Sequence, residues 1–111
     1  MKRIFRTKFN ATHYIKGHPR CGQKHSHQYE LEVEIESGLV FLDFHEIREK
    51  VEKAMVVSGI VDHKENDLGN MTAEKLSKIL YDNIREEMKN LAVKNLVIKL
   101  YETEHFGVEF P

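Results

Sequence analysis

One segment of the sequence restricts the possible folds more than any other, the nine residues 28–36. Tyr29, Leu31, Val33 and Ile35 alternate there with four glutamates. Successive side chains of a strand point to opposite faces of a sheet, so the pattern predicts a strand with one apolar and one acidic face. The apolar face predicts that other parts of the chain pack against it.

Three further segments have the patterns of strands. Residues 2–13 alternate between two faces and place Phe5 and Phe9 on the same one. Residues 95–103 and 107–110 form two more strands, and the connection between them is short enough for a hairpin. The chain therefore contains four predicted strands, two near its start and two near its end.

Two amphipathic helices are predicted between these pairs of strands. Asp43, with Glu46 three positions later, begins the first helix, and Gly59 ends it. Thr72 caps the second helix, which keeps its period to about Asn90. The apolar residues at helical spacing are Phe44, Ile47, Val51, Ala54 and Met55 in the first helix and Leu76, Ile79, Leu80, Ile84 and Met88 in the second.

The order of these elements predicts an α+β fold: a four-stranded antiparallel sheet with two helices packed on one face. The segment VDHKENDLGN, residues 61–70, is polar and predicts a loop between the helices. We find no boundary within the chain and expect one domain, 1–111. Because open sheet edges invite pairing with another chain, we also expect an oligomer.

Composition excludes several classes of protein. With 41% hydrophobic residues, 32% charged residues and a formal net charge of −1, the 111-residue chain is typical of a soluble globular protein. Lys and Arg form no basic stripe, so nucleic acid is not an expected partner. The single cysteine rules out an internal disulfide, and no apolar run is long enough to span a membrane. We expect a cytoplasmic protein.

Three histidines predict a metal site. His25 and His27 are two positions apart at the start of the acidic-faced strand, so both side chains point to the same side of the sheet. His13 lies at the end of the preceding strand and would supply a third nitrogen if the two strands pair. Three imidazoles with a free fourth position are typical of catalytic zinc. The alternative is a group of surface histidines. We interpret His18, His45 and His105 as solvated residues or as residues that contact the ligands without binding the metal.

The single cysteine allows two interpretations. Cys21 could be a small buried residue, the common fate of a lone cysteine. It lies, however, in a glycine-containing loop between Arg20 and Lys24, where nearby positive charge lowers a thiol pKa and favours a nucleophile or a general base. Its offset of four residues from His25 argues against a place among the zinc ligands.

Two acidic positions also allow a structural and a functional interpretation. Asp62 beside His63 could stabilise a turn, or could form a Cys/His/Asp proton relay with Cys21. Glu102, at the end of a strand, could be one more exposed acid. If it faces a pocket, its carboxylate could instead accept two parallel N–H bonds from an amidine-like edge such as that of a pterin ring.

Five motifs occur in one order along the chain: FNAT before His13, Cys21-x-x-x-His25-Ser26-His27, VDHKEND, MTAEKL and YET. This arrangement, from Phe9 to Glu102, resembles the 6-pyruvoyltetrahydropterin synthase and 6-carboxytetrahydropterin synthase family. The resemblance implies the tunnelling (T) fold, whose subunits assemble as homotrimers that close their sheets into a barrel, often stacked as homohexamers.

The resemblance also implies roles for individual residues. His13, His25 and His27 would bind Zn²⁺, and Cys21 would be the catalytic thiol. Asp62 and His63 would complete the proton relay from a neighbouring subunit, so that the active sites lie between subunits. Residues near the pterin would be Glu102, as its anchor, with Thr72 and Glu74.

The substrate implied by the resemblance is 7,8-dihydroneopterin triphosphate. We expect its conversion to 6-carboxy-5,6,7,8-tetrahydropterin with release of triphosphate and acetaldehyde, a step towards deazaguanine nucleosides. The alternative is the 6-pyruvoyl activity, in which triphosphate is eliminated. A non-catalytic zinc- or pterin-binding module and a structural protein with incidental histidines are further alternatives.

Overall fold

A computed structural model describes residues 1–38 and 41–111. The elements are β1 (Lys2–Tyr14), β2 (His25–Glu36), α1 (Phe44–Val57), β3 (Asp67–Asn70), α2 (Ala73–Glu87), β4 (Asn95–Tyr101) and β5 (Gly107–Phe110). The described part of the chain has no helix long and apolar enough to cross a membrane.

The strands form one sheet in the order β3-β1-β2-β4-β5. Pairs β1–β2, β2–β4 and β4–β5 are antiparallel, as predicted. Residues 61–70 are not entirely a loop, because Asp67–Asn70 forms a strand parallel to the end of β1. The sheet therefore has five strands and not the predicted four. The α+β class with two helices is confirmed, and the sheet is mixed.

The register between β1 and β2 positions the site. Their pairing places Phe9 opposite Tyr29 and His13 opposite His25. The three candidate ligands His13, His25 and His27 and an aromatic pair therefore lie at one end of the sheet. The strand β2 begins at His25, three residues earlier than the alternating pattern indicated. Both histidines of β2 therefore lie within regular strand structure.

The helices begin where their capping residues predict. The side chain of Asp43 accepts a hydrogen bond from the His45 N–H, and that of Thr72 accepts one from the Lys75 N–H. Such caps satisfy backbone donors that have no partner within the helix. The second helix ends at Glu87, about a turn before the predicted end.

The two faces of the sheet differ as β2 predicts. The apolar face packs in one core with the helices, and the largest fully buried side chains include Tyr29, Leu31, Ile35, Leu76, Leu80, Ile84 and Ile98. On the opposite face Arg6, Glu32, Lys99 and Glu109 are cross-strand partners across four strands. The Lys99 Nζ lies 2.9 Å from Glu34 Oε2, and this hydrogen bond lowers the pKa of the Glu34 carboxyl.

A buried asparagine holds the segment before β3 against β1. The Asn66 side-chain amide donates to the backbone oxygens of Asn10 at 2.9 Å and Asp62 at 2.8 Å, and its oxygen accepts the Val61 N–H at 2.8 Å. The Asn66 carbonyl also accepts the Thr12 N–H at 2.8 Å. These bonds hold the chain beside β1 immediately before β3 begins.

Candidate metal centre

His13, His25 and His27 converge, as the sequence predicts. One ring nitrogen from each lies within 4.8 Å of the other two, a spacing that suits three ligands of one ion. The ring centroids are 4.5 Å apart for His13 and His25 and 4.9 Å apart for His25 and His27. Among the described residues only these three histidines form such a group.

Two backbone carbonyl groups decide which nitrogens face the centre. The Nδ1 of His13 donates to the Met71 oxygen at 2.7 Å, and the Nδ1 of His25 donates to the Gln23 oxygen at 2.8 Å. A carbonyl oxygen only accepts, so each Nδ1 carries a hydrogen, and in the neutral ring Nε2 then has the free lone pair. This is the usual arrangement around a metal-ligating imidazole.

Two of the ring nitrogens are buried without a hydrogen-bond partner in the described chain. They are the Nε2 atoms of His13 and His27, and the His13 side chain is fully buried. A buried polar atom without a partner costs free energy, and native proteins contain few of them. The donor set, three converging imidazoles of which His13 and His25 have Nδ1 bonded to a backbone carbonyl and Nε2 free, fits a divalent cation such as zinc.

The electrostatics of His27 favour the neutral ring. Burial lowers its pKa from the ordinary value, the neighbouring His13 and His25 lower it further, and Glu102 acts in the opposite direction. A neutral imidazole is the form that binds metal, so burial prepares this ring for coordination.

An aromatic pair forms the floor beneath the histidines. The rings of Phe9 and Tyr29 stack with centroids 5.1 Å apart, and Tyr29 also contacts the edges of His13 and His27. Burial, assisted by the negative charge of Glu102, raises the pKa of the Tyr29 hydroxyl well above its usual value. The site therefore has a buried aromatic base, built from two residues that the sequence placed only on strand faces.

Glu102 joins this group from the end of β4. Its Oε1 lies 3.3 Å from the Nε2 of His27, and the two side chains are 27% and 20% exposed. The carboxylate thus borders the metal centre and remains accessible. Glu102 is therefore partly buried and is not a fully exposed acid.

Cys21 lies in the loop between β1 and β2 and is partly buried. Its backbone is held on both sides: its N–H donates to His18 Nδ1 at 2.9 Å, and its carbonyl accepts the Ile15 N–H at 2.6 Å. His18 therefore shapes this loop through its Nδ1 atom. His45 and His105 are exposed, as expected.

Asp62 and His63 are not joined to Cys21 by a hydrogen bond or ion pair within the described residues. The Asp62 Oδ1 accepts the N–H groups of Lys64 and Glu65, both at 2.7 Å, and these bonds lower the pKa of its carboxyl. The His63 Nδ1 donates to the Lys8 oxygen at 2.7 Å, beside the outer edge of β1. In this single chain Asp62 has the turn-stabilising role that was the structural alternative.

Thr72 and Glu74 lie at the start of α2. The Thr72 Oγ1 accepts the Lys75 N–H at 3.1 Å, and Glu74 is an exposed acid in the first helical turn. Each residue thus has a local helical role, Thr72 as cap and Glu74 as a favourable charge at the positive end of the helix dipole. The segment before them carries Met71, whose contact with His13 the sequence did not reveal.

Comparisons with known proteins agree with this geometry. The family model described as 6-pyruvoyl tetrahydropterin synthase matches residues 3–111. A putative 6-carboxy-5,6,7,8-tetrahydropterin synthase of Archaeoglobus fulgidus is 39% identical over 54 residues, which are 44% of this chain and 46% of that protein. The match thus spans about half the length of this curated relative.

Solved structures show the fold. The 6-pyruvoyl tetrahydropterin synthase of Caenorhabditis elegans superimposes with a TM-score of 0.77 at 13% identity, covering 99% of this chain and 94% of that one. That of Plasmodium falciparum gives 0.72 at 14% identity, covering 98% and 96%. The expected T-fold is therefore confirmed. Since the family model covers nearly the whole sequence, the chain belongs to the 6-pyruvoyl tetrahydropterin synthase family.

Proposed function

We propose that this protein converts 7,8-dihydroneopterin triphosphate to 6-carboxy-5,6,7,8-tetrahydropterin, releasing triphosphate and acetaldehyde, with Zn²⁺ held by His13, His25 and His27. The observation that carries the proposal is the convergence of three imidazoles, of which the fully buried His13 has an Nε2 atom without a hydrogen-bond partner among the described residues. In a member of this family, a catalytic metal explains why such a costly group is kept.

An ion held by His13, His25 and His27 would supply Lewis-acid polarisation of the substrate's side-chain hydroxyl groups, which would make their protons easier to remove. The three histidines would hold the ion, because they form the group of converging ligand atoms in the described chain. A site with three protein ligands would leave a coordination position for substrate, as in other catalytic zinc sites.

Glu102 is the residue we assign to the pterin. Its accessible carboxylate beside His27 can accept two N–H bonds from the amidine-like edge of the ring, which places the substrate side chain over the histidines. Thr72 and Glu74 would lie close to the same ring. Charge-assisted bonds of this kind orient a substrate as well as bind it.

Cys21 and the pair Asp62 and His63 are assigned to proton transfer. The Cys21 thiol would remove and return protons on the substrate side chain, and general acid–base help of this kind is typically worth about 10²- to 10⁴-fold in rate. His63 lies at the outer edge of β1, so we propose that it and Asp62 serve the site of a neighbouring subunit.

Two features of the surface support assembly into homotrimers or homohexamers with shared sites. The strand β3 pairs with β1 only over Thr12–Tyr14, so the outer edge of β1 has no paired strand before Thr12 in the described chain. At the other side of the sheet, β5 is an outer strand of four residues. Cavities of about 650 and 470 Å³ open on the described chain, and none of the three histidines lines either. A neighbouring subunit would supply the missing walls.

The 6-carboxy reaction is preferred to the 6-pyruvoyl reaction because the curated relative carries that name. The 6-pyruvoyl activity, elimination of triphosphate alone, remains the second candidate because the family model and the solved structures carry that name. A cytoplasmic location and a place on the route to deazaguanine nucleosides belong to the same proposal.

Incubation of the zinc-loaded protein with 7,8-dihydroneopterin triphosphate, followed by mass spectrometry of the products, tests the proposal. We expect 6-carboxytetrahydropterin and acetaldehyde, whereas 6-pyruvoyltetrahydropterin would identify the alternative reaction. The absence of both products would refute the enzymatic assignment. Cys21→Ala should abolish most turnover and keep one zinc per chain, whereas His25→Ala should lose both. The exposed His105→Ala is the matched control and should keep both.

A further inference from the structure

The short strand β3 meets β1 only beside the metal centre. In its register Gly69 pairs with His13 and Asn70 pairs with Tyr14, and the ladder shifts between Thr12 and His13. The residue that follows β3, Met71, continues the contact with two backbone bonds. Its N–H donates to the Tyr14 oxygen at 3.1 Å, and its oxygen accepts from the His13 Nδ1 at 2.7 Å.

We propose that residues 67–71, which we call the β3 clamp, are a positioning element that fixes the tautomer and ring orientation of His13. The part of this inference that concerns metal affinity rests on the proposed function; the part that concerns the tautomer does not. The effect that we assign to the clamp passes through the histidine.

Burial gives the clamp its importance. The His13 side chain is fully buried, so water cannot replace the Met71 oxygen as the acceptor of the Nδ1 hydrogen. Without that acceptor the ring could move its hydrogen to Nε2, and Nε2 would then have no lone pair for a metal. One carbonyl position therefore determines whether the third ligand is available.

The position of this carbonyl depends on Gly69. Its φ of +65° is in the left-handed region, and its N–H donates to the Asp67 Oδ1 at 3.0 Å. A Cβ added at Gly69 would meet nothing within 4 Å, so Gly69→Ala introduces backbone strain and no steric clash. The strain acts where the chain turns towards Met71.

The chain offers a matched control for this substitution. Gly59, after α1, has a φ of +97° and also has no atom within 4 Å of an added Cβ. Gly59→Ala therefore brings the same kind of backbone strain at a position that does not contact the histidines. Gly69→Asn is a milder variant, because Asn tolerates the left-handed conformation better than Ala.

The first measurement uses the metal-free protein. Long-range ¹⁵N–¹H NMR correlation reports the tautomer of each histidine, and we expect His13 to be protonated on Nδ1 in the wild type and in Gly59→Ala. In Gly69→Ala, or in Gly69→Asn if the alanine variant does not fold, we expect a mixture of the two tautomers.

The second measurement is zinc affinity by competition with a chromophoric chelator. Loss of an outer-sphere partner of a ligating histidine typically costs about 10- to 100-fold in metal affinity, and we expect a loss in this range for Gly69→Ala and less than about 2-fold for Gly59→Ala. Equal tautomers and equal affinities in the two variants would overturn the inference, as would a wild-type His13 protonated on Nε2. A wild type with the expected tautomer but no zinc binding would support the clamp and refute the proposed function.

Discussion

Thr72→Ala separates two roles for a residue that was assigned to the substrate pocket. The Thr72 Oγ1 accepts the Lys75 N–H at 3.1 Å and caps α2, whose buried residues include Leu76 and Leu80. Replacement by Ala leaves this N–H at the helix start without its side-chain acceptor. If the cap is the main role of Thr72, the variant must lose stability before any substrate is added.

The size of the loss follows from the cap and the length of the chain. Removal of a Thr cap typically costs about 1 kcal/mol. Melting entropies of about 2.1 cal/mol/K per residue give about 0.23 kcal/mol/K for 111 residues. The melting temperature should therefore fall by about 4 °C.

Differential scanning calorimetry at fixed protein and zinc concentration measures this shift. Thr72→Ser keeps the hydroxyl and should melt close to the wild type, and Asp43→Ala removes the equivalent cap of α1 and should fall by a similar amount. A melting temperature of Thr72→Ala within about 1 °C of the wild type, together with a raised KM, would refute the capping argument and return Thr72 to the pocket.

Three further predictions follow from other parts of the structure. Asn66→Asp replaces a buried amide donor that serves two backbone carbonyls and should cost about 2–3 kcal/mol of unfolding free energy in urea titrations. Asn70→Asp keeps the oxygen that accepts the Lys16 N–H, so it should change the free energy of unfolding little. Equal losses of unfolding free energy in Asn66→Asp and Asn70→Asp would contradict the role of the Asn66 amide donor. Lys99 lowers the pKa of Glu34, so that interaction stabilises the fold above the ordinary Glu pKa and is lost as pH falls through the depressed value. The difference in unfolding free energy between the wild type and Lys99→Met should therefore narrow on acidification. A difference independent of pH would contradict the stabilising interaction between Lys99 and Glu34. Analytical ultracentrifugation should show trimers or hexamers; a monomer at micromolar concentration would contradict the shared-site proposal.

Much of the site could be predicted from spacing alone. His25 and His27 are two residues apart, and a strand places such residues on one side of a sheet whatever surrounds it. His13 joins these two histidines if β1 pairs with β2, and strands that follow each other in the chain often pair. The caps at Asp43 and Thr72 are similarly local, since the side chain bonds to a backbone group two or three residues away.

Other features depended on contacts between distant residues. The strand β3 has the turn-like sequence DLGN and becomes a strand only because Asn66 and the end of β1 hold it in register. The acceptor of the His13 hydrogen is a backbone oxygen of Met71, and a backbone carbonyl has no signature in the sequence. Asp62, which spacing alone left open between a turn and a relay, is occupied by two local N–H groups in this chain.

The sequence by itself determined the α+β order of elements, the faces of β2 and the identity of three metal-ligand candidates, because these follow from periods of two and 3.6 residues and from the chemistry of the side chains. Only the tertiary structure decided the fifth strand, the nitrogen that His13 and His25 each present and the placement of Glu102 beside His27. The physical reason is that burial and long-range hydrogen bonds fix the energy of a ring tautomer or of a parallel strand, and neither quantity is local in the chain.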